Sequence, residues 1–398
     1  MDQKTIQRIL VFSTNYLPNI GGAELAFHEV ATRIPELNFD LITSRLSDPL
    51  NPKKLLAAEE KLKNVNVYRV GSRFNFIKIL VPKVFYPVAA YFKARELCKK
   101  FGPYKKIYAL QASQGGGGAW LYKIFNPEIN FLLNLQEGQD FKKQGFLINF
   151  FRSLIIKKAD IIIAISSYLK EYAEMINAKA KLVILPNGVD IEKFGREYSY
   201  GELSVLSDEL GIKPGEKVII SISRLVFKNG VDVLINALYE INKLKKENYK
   251  LLLVGDGGEL ANLKLQAFRL GLEGQVIFVG SVDHAELPKY LGLADVFVRP
   301  SRSEGLGVAF LEAMAAKIPI VGTKIGGIPD FLKDFSTDSE RATGLFCEIE
   351  NPIHLAEQIS RIVEDEELRM KITKNAADLV MENYNWDKIA KNFAEIYK

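Results

Sequence analysis

Ser301-Arg302-Ser303-Glu304-Gly305-Leu306-Gly307-Val308-Ala309-Phe310-Leu311-Glu312-Ala313-Met314-Ala315 decides how the rest of the chain is read. One apolar run, Ala294 to Pro300, precedes it and another, Ile318 to Gly322, follows, so the pattern is strand, glycine loop, short helix, strand. That is one βαβ unit of a parallel sheet, and such sheets bind ligands beyond the carboxyl ends of their strands. A helix opening on Gly305 and Gly307 offers backbone N–H groups and a positive dipole end to an anion, and a diphosphate fits. Glu304 stands just before the helix and Glu312 about two turns into it, roughly 9–12 Å further along at about 1.5 Å per residue. Carboxylates repel phosphate but accept paired hydrogen bonds from a vicinal diol, so these two suit hydroxyl-bearing groups at either end of a bound anion. The plainer alternative has Glu304 complementing the helix dipole and Glu312 solvated.

The surrounding motif narrows the choice. Ser-x-Ser-Glu-Gly-x-Gly, the seven residues between the glutamates, and Pro-Ile-Val-x-Thr-x-x-Gly-Gly-Ile-Pro-Asp from Pro319 to Asp330 closely resemble the donor-site signature of retaining glycosyltransferases of family 4. The resemblance covers nearly the whole chain and is strongest over 218–330. It implies an α/β protein with two Rossmann-like doubly wound parallel-sheet domains facing across a cleft, the GT-B fold. Strand-like runs at 8–14, 39–43, 65–70, 106–111, 130–135 and 160–165, with helical stretches between them, fit a doubly wound first domain. The expected division is an acceptor domain over 1–194, a polar linker over 195–216, a nucleotide-sugar domain over 217–382, and a helix over 383–398 that returns to the first domain.

Other motifs follow the expected strands. Gly21-Gly22-Ala23-Glu24 matches the family's Gly-Gly-x-Glu after the first strand, where the resemblance implies phosphate contacts from Gly21 and Gly22. Ser113 to Gly118 reads as a glycine loop opening a helix near Ala119, a wall of the acceptor crevice. At Gln136-Glu137-Gly138-Gln139-Asp140, relatives often carry a histidine followed by Gly-x-Asp; Gln136 or Glu137 takes that place here, with acceptor or sugar positioning as the implied role. Ser223-Arg224-Leu225-Val226-Phe227-Lys228-Asn229-Gly230 resembles the family's Arg-Leu-(three residues)-Lys-Gly with the lysine one place early. His28 reads as a packing or surface residue and His284 as a solvated loop residue.

Composition adds bounds. Its 398 residues suffice for two cores. No apolar run of 18 residues and no signal-like start is visible, so a cytoplasmic protein is expected. Cys98 and Cys347 lack metal-ligand spacing and read as reduced core thiols, and three histidines give no metal cluster. Residues 1–198 hold 29 Lys and Arg against 18 Asp and Glu, whereas 199–398 hold 24 against 30. No nucleic-acid reader motif accompanies the basic half, so an anionic membrane surface is the partner considered. Phe74 to Pro87, aromatic and basic together, is either a loop and helix covering the sheet or a lipid-facing surface.

The resemblance then implies transfer of a hexosyl unit from a nucleotide diphosphate sugar to the hydroxyl of a sugar or lipid-linked acceptor, with the anomeric configuration retained. Donor contacts fall to Gly21, Gly22, Arg224, Lys228, Gly305, Leu306, Gly307, Val308 and Glu312. Catalysis falls to Arg224, Lys228 and Glu304, with no metal and no cofactor beyond the donor substrate. A glycosyltransferase-like subunit that binds nucleotide sugar without turnover is the rival from another class. A hydride-transfer Rossmann enzyme is weaker, since the first loop lacks Gly-x-Gly-x-x-Gly.

Overall fold

A computed structural model describes residues 7–18, 21–48, 51–71, 85–138, 144–177, 179–244, 248–338 and 340–397. The chain forms two compact units, 1–187 with 386–398, and 188–385.

The first unit contributes β1 (Gln7–Phe12), β2 (Leu37–Ser44), β3 (Ser47–Asp48), β4 (Asn51–Leu55), β5 (Glu59–Leu62), β6 (Val65–Val70), β7 (Lys106–Leu110), β8 (Asn130–Leu135), β9 (Ile161–Ala164) and β10 (Lys181–Ile184). Eight of these form one sheet in the order β10-β9-β8-β7-β1-β2-β6-β5, while β3 and β4 make a separate antiparallel pair. Within the sheet all neighbours are parallel except β5 with β6. Ile9, Leu10, Val11 and Phe12 are all fully buried, as expected of a central strand covered on both faces. Ile9 and Val11 join a core with Phe27 of the helix Gly22–Thr32 and with Trp386, Ile389, Phe393 and Tyr397 of the terminal helix Trp386–Tyr397. Those four residues recur at helical spacing, and burying each contributes about 1.5–3 kcal/mol.

On the other face lie the helices Tyr86–Phe101, Gln114–Phe125 and Phe146–Lys158. The glycines expected in a loop before Ala119 sit inside the second of these. A side chain at Gly118 would press on Phe12 and Ala90, and one at Gly115 on the Leu110 carbonyl and Ser13. They are therefore a packing surface that lets the helix lie close to β1, which corrects the reading as a crevice wall. The stretch from Phe74 to Val84 lies outside the described residues.

In the second unit β11 (Lys217–Ile222), β12 (Tyr249–Val254), β13 (Val276–Gly280), β14 (Val296–Arg299), β15 (Ile320–Thr323) and β16 (Leu345–Cys347) form a wholly parallel sheet ordered β13-β12-β11-β14-β15-β16. Strand order reverses between β11 and β14, the place where doubly wound sheets open a crevice at their carboxyl edge. The expected linker instead belongs to this unit. It contains the helix Tyr200–Glu209, opened by Ser199 and Glu202 as a reciprocal cap, and Lys317 pairs with Glu197 at 2.7 Å. Just upstream, Val189 N–H donates to the Tyr384 carbonyl at 2.7 Å and Phe194 is buried. The helix has no buried residue, so its composition is indistinguishable from that of a solvated linker. Among the described residues no helix is long and apolar enough to cross a membrane.

Candidate active site

Three loops at the carboxyl edge of the second sheet, after β11, β14 and β15, are locked together by backbone contacts. Gly230 has φ +69°, and a Cβ there would fall on the Pro300 carbonyl oxygen. At Gly326, φ +55°, a Cβ would meet the Glu304 carbonyl oxygen. Only glycine combines that left-handed conformation with so close an approach. Arg302 adds side-chain ties. Its N–H donates to Lys228 O at 2.7 Å, and its guanidinium donates to both Asp232 carboxylate oxygens at 2.7 Å, to Glu350, and to Phe227 O. The Arg302 pKa is raised by the hydrogen bonds to Asp232 and Glu350, so the cation is fixed. The loop carrying Lys228 is thus held to the loop carrying Glu304.

Cations gather at this junction. Lys228 is largely buried, and burial, with Arg299 and Arg224 close by, brings its pKa down to about 8. Arg299, at the end of β14, is fully buried, which lowers its pKa to about 10 while Glu312 pulls it upward. Its guanidinium pairs with the Glu304 carboxylate, and its Nε donates to Ser301 Oγ at 3.3 Å. Glu304 also accepts the Gly305 N–H at 3.1 Å. Arg224 is exposed above them. The helix Val308–Ala315 starts after Gly307, whose φ of +100° turns the chain into it, so Gly305 and Leu306 form the loop and Val308 the first helical residue.

Glu312 is buried rather than solvated, and His284 is its partner. His284 Nε2 lies 2.7 Å from Glu312 Oε1, and Nδ1 lies 2.9 Å from Lys193 Nζ. Since an ammonium can only donate, Nδ1 accepts and the ring proton sits on Nε2, facing the carboxylate. His284 stays in a loop and partly exposed, as expected, yet both its ring nitrogens are engaged: the tertiary fold brings 193, 284 and 312 into one chain of hydrogen bonds.

The remaining candidates lie in the first unit. Gly21 caps the helix Gly22–Thr32, its N–H donating to Glu24 Oε2 at 2.9 Å, and a Cβ added at Gly22 would meet no heavy atom within 4 Å. Gln136 and Asn187 pair amide to amide at 2.8 and 2.9 Å. Glu137 accepts N–H groups from Ala112 at 2.6 Å and Gln136 at 2.9 Å; burial raises its pKa, opposed by Arg152. His28 is half-buried, its Nδ1 2.9 Å from the Tyr16 hydroxyl.

Sequence reasoning missed Arg299, Arg302 and His284. Arg299 carried a signal, a charge at the end of the otherwise apolar Val-Phe-Val-Arg run. For His284 nothing local pointed to residue 312.

Residues 205–379 match the family described as glycosyl transferases group 1. An uncharacterized glycosyltransferase of Methanocaldococcus jannaschii is 32% identical over 239 residues, 60% of this chain and 59% of that protein. The N-acetyl-alpha-D-glucosaminyl L-malate synthase of Bacillus anthracis is 31% identical over 244 residues, 61% of this chain and 60% of that protein. These matches thus span about three fifths of each relative's length. Among solved structures, Anabaena HepE in complex with UDP and glucose superposes with a TM-score of 0.79 over 98% of this chain and 99% of that one at 20% identity, a likeness of fold. The two parallel-sheet α/β units and this likeness give the chain the GT-B fold, and residues 205–379 within it form a glycosyl transferases group 1 region.

Proposed function

We propose that this protein transfers a hexosyl unit from a nucleotide diphosphate sugar to an acceptor hydroxyl with retention of configuration. The observation that carries the reading is the meeting of Lys228, Arg224 and Arg299 beside the Gly305–Gly307 turn, where burial first and the two arginines second lower the Lys228 pKa. A departing nucleoside diphosphate gains negative charge, and cations already fixed in place stabilise it without reorganisation. This reading gives that neutralisation to Arg224 and Lys228 rather than to a metal ion. Leu306, Gly307 and Val308 supply N–H groups to phosphate oxygens, while Gly305, its own N–H on Glu304, shapes the turn. Glu304, braced by Arg299, positions the sugar, while Glu312, held by His284, accepts the ribose hydroxyls. Gln136 and Glu137 act as positioning residues, since their polar groups are engaged by Asn187 and by the N–H groups of Ala112 and Gln136. The basic first half favours an acceptor carried on an anionic surface.

The test is incubation with a panel of uridine, guanosine and adenosine diphosphate sugars, with and without sugar and glycolipid acceptors. Acceptor-dependent release of nucleoside diphosphate, with the anomeric configuration of the product matching the donor, is expected. Tight donor binding without release from any pair would make the chain a binding subunit instead.

A further inference from the structure

The loop after β14 carries an arginine whose donors are all engaged within the protein. Of the guanidinium N–H groups of Arg302, two meet Asp232 Oδ1 and Oδ2 at 2.7 Å, two meet the Glu350 carboxylate, and the last meets Phe227 O at 2.7 Å. An arginine has five such donors, so none is left for a ligand. Each carboxylate is held as a fork, the strongest geometry open to this side chain. The Phe227 ring covers the guanidinium, its centroid 4.0 Å from Cζ, and the Arg302 side chain is 9% exposed. Glu350 stands at φ +59°, a left-handed conformation that a residue with a side chain keeps only where its surroundings hold it. Three groups from the segments after β11 and β16 thus converge on one arginine.

What they hold together is the turn Phe227–Asn229. Arg302 takes two successive carbonyls of that turn, Phe227 O through the guanidinium and Lys228 O through its own backbone N–H at 2.7 Å. Asn229 is buried and passes the constraint on, its Nδ2 donating to Arg224 O at 2.7 Å. Lys228 and Arg224 are the cations assigned above to the departing diphosphate. We infer that Arg302 is a positioning residue for that reaction, fixing Lys228 directly and Arg224 through Asn229 while touching neither donor nor acceptor. Its purpose rests on the transfer reading; the grip itself is measured without donor. Cations that stabilise a leaving group must be in place beforehand, and misplacement by about 1 Å can cost about 100-fold in rate.

Lys228, largely buried beside Arg224 and Arg299, has its pKa brought down to about 8. Released into water, it would return toward the ordinary lysine value of about 10.4. The full chain without donor is therefore acetylated with acetic anhydride across a pH series, and modification at Lys228 is read by mass spectrometry. The midpoint is expected near 8 in the wild type and clearly higher in Arg302→Ala. Arg302→Lys keeps the charge and the backbone N–H but cannot form two planar forks, so it is expected to behave like the alanine variant. With donor and acceptor present, both variants should lower kcat by about 10- to 100-fold and change donor KM far less, because the cations act on charge that develops in the transition state. Should Arg302→Ala fail to fold, D232N/E350Q leaves the arginine in place, weakens both forks and is read in the same way. The inference is overturned if Lys228 titrates alike in wild type and variants, if Arg302→Lys matches the wild type, or if the variants lose thermal stability with kcat unchanged. A wild type inactive with every donor sinks the transfer reading and not the grip, which the Lys228 midpoints decide by themselves.

Discussion

The two sheets share one architecture, yet their carboxyl edges are made differently. In the second unit, backbone passes so close to backbone that Gly230 and Gly326 admit no side chain, and Lys228, Arg299 and Glu304 are buried or nearly so within the resulting cage. In the first unit, Gly22 has open space around it, and the Glu137 carboxylate is spent on neighbouring backbone. Rigid, charged construction suits a site whose electrostatics must be in place before reaction. An edge with room around its turn suits contact with a ligand that varies in shape.

Removing charge from the second edge should have the largest effect. Glu304→Gln and Lys228→Ala are each expected to lower turnover by about 100- to 1000-fold, the usual consequence of deleting one preorganised stabiliser, with the fold intact. Release of nucleoside diphosphate measures it, and rates near wild type would remove both residues from the mechanism. The same lysine predicts a pH dependence. Its pKa of about 8 keeps it cationic below that value and neutral above, so kcat/KM for the donor should fall on the alkaline side, and Lys228→Arg should abolish that fall.

A structural contrast comes next. Gly326→Ala forces a side chain into a left-handed position against the Glu304 carbonyl, costing about 1–3 kcal/mol from strain alone, and thermal unfolding should show it. Gly22→Ala should change stability by no more than about 0.5 kcal/mol. If the alanine at 22 nonetheless raises donor KM, the open turn contacts the donor; if both alanines are silent, the contrast between the edges is lost.

Smaller still is the effect expected at His284. Replacing it with alanine leaves Glu312 buried but unguided, so donor KM should rise several-fold with little change in kcat, since ribose contacts are equal in ground and transition states. An equal fall in kcat would move Glu312 toward the chemistry itself.

Ala294 to Ala315 was legible as strand, turn and helix because its apolar pattern changes from a short continuous run to helical spacing across a pair of glycines, a local signal needing no partner. The return of Trp386, Ile389, Ala390 and Phe393 as one apolar stripe was equally local. Harder cases share a reason. The helix Tyr200–Glu209 buries nothing, so its pattern matched a linker. The glycines of 115–118 resembled a loop because their purpose, contact with Phe12, Ala90 and the Leu110 carbonyl, involves residues distant in sequence.

What the amino-acid order alone determined is the class of the fold and the βαβ placement of Glu304, Gly305, Gly307 and Glu312, because hydrophobic period and glycine position act over a few residues. Which side chains those groups meet was decided only by tertiary structure. The Arg302 bond to Lys228 O and the Lys193–His284–Glu312 chain join segments that follow separate strands, and no short-range rule relates positions 193, 284 and 312; the Arg299 pairing with Glu304, five residues apart, depends on how the loop after β14 folds back. The exposure of Phe146 to Phe151 belongs to the same category. Apolar periodicity predicts that such residues are buried, and only the packing of Arg152, Ile155 and Ile156 on the opposite side leaves them facing outward.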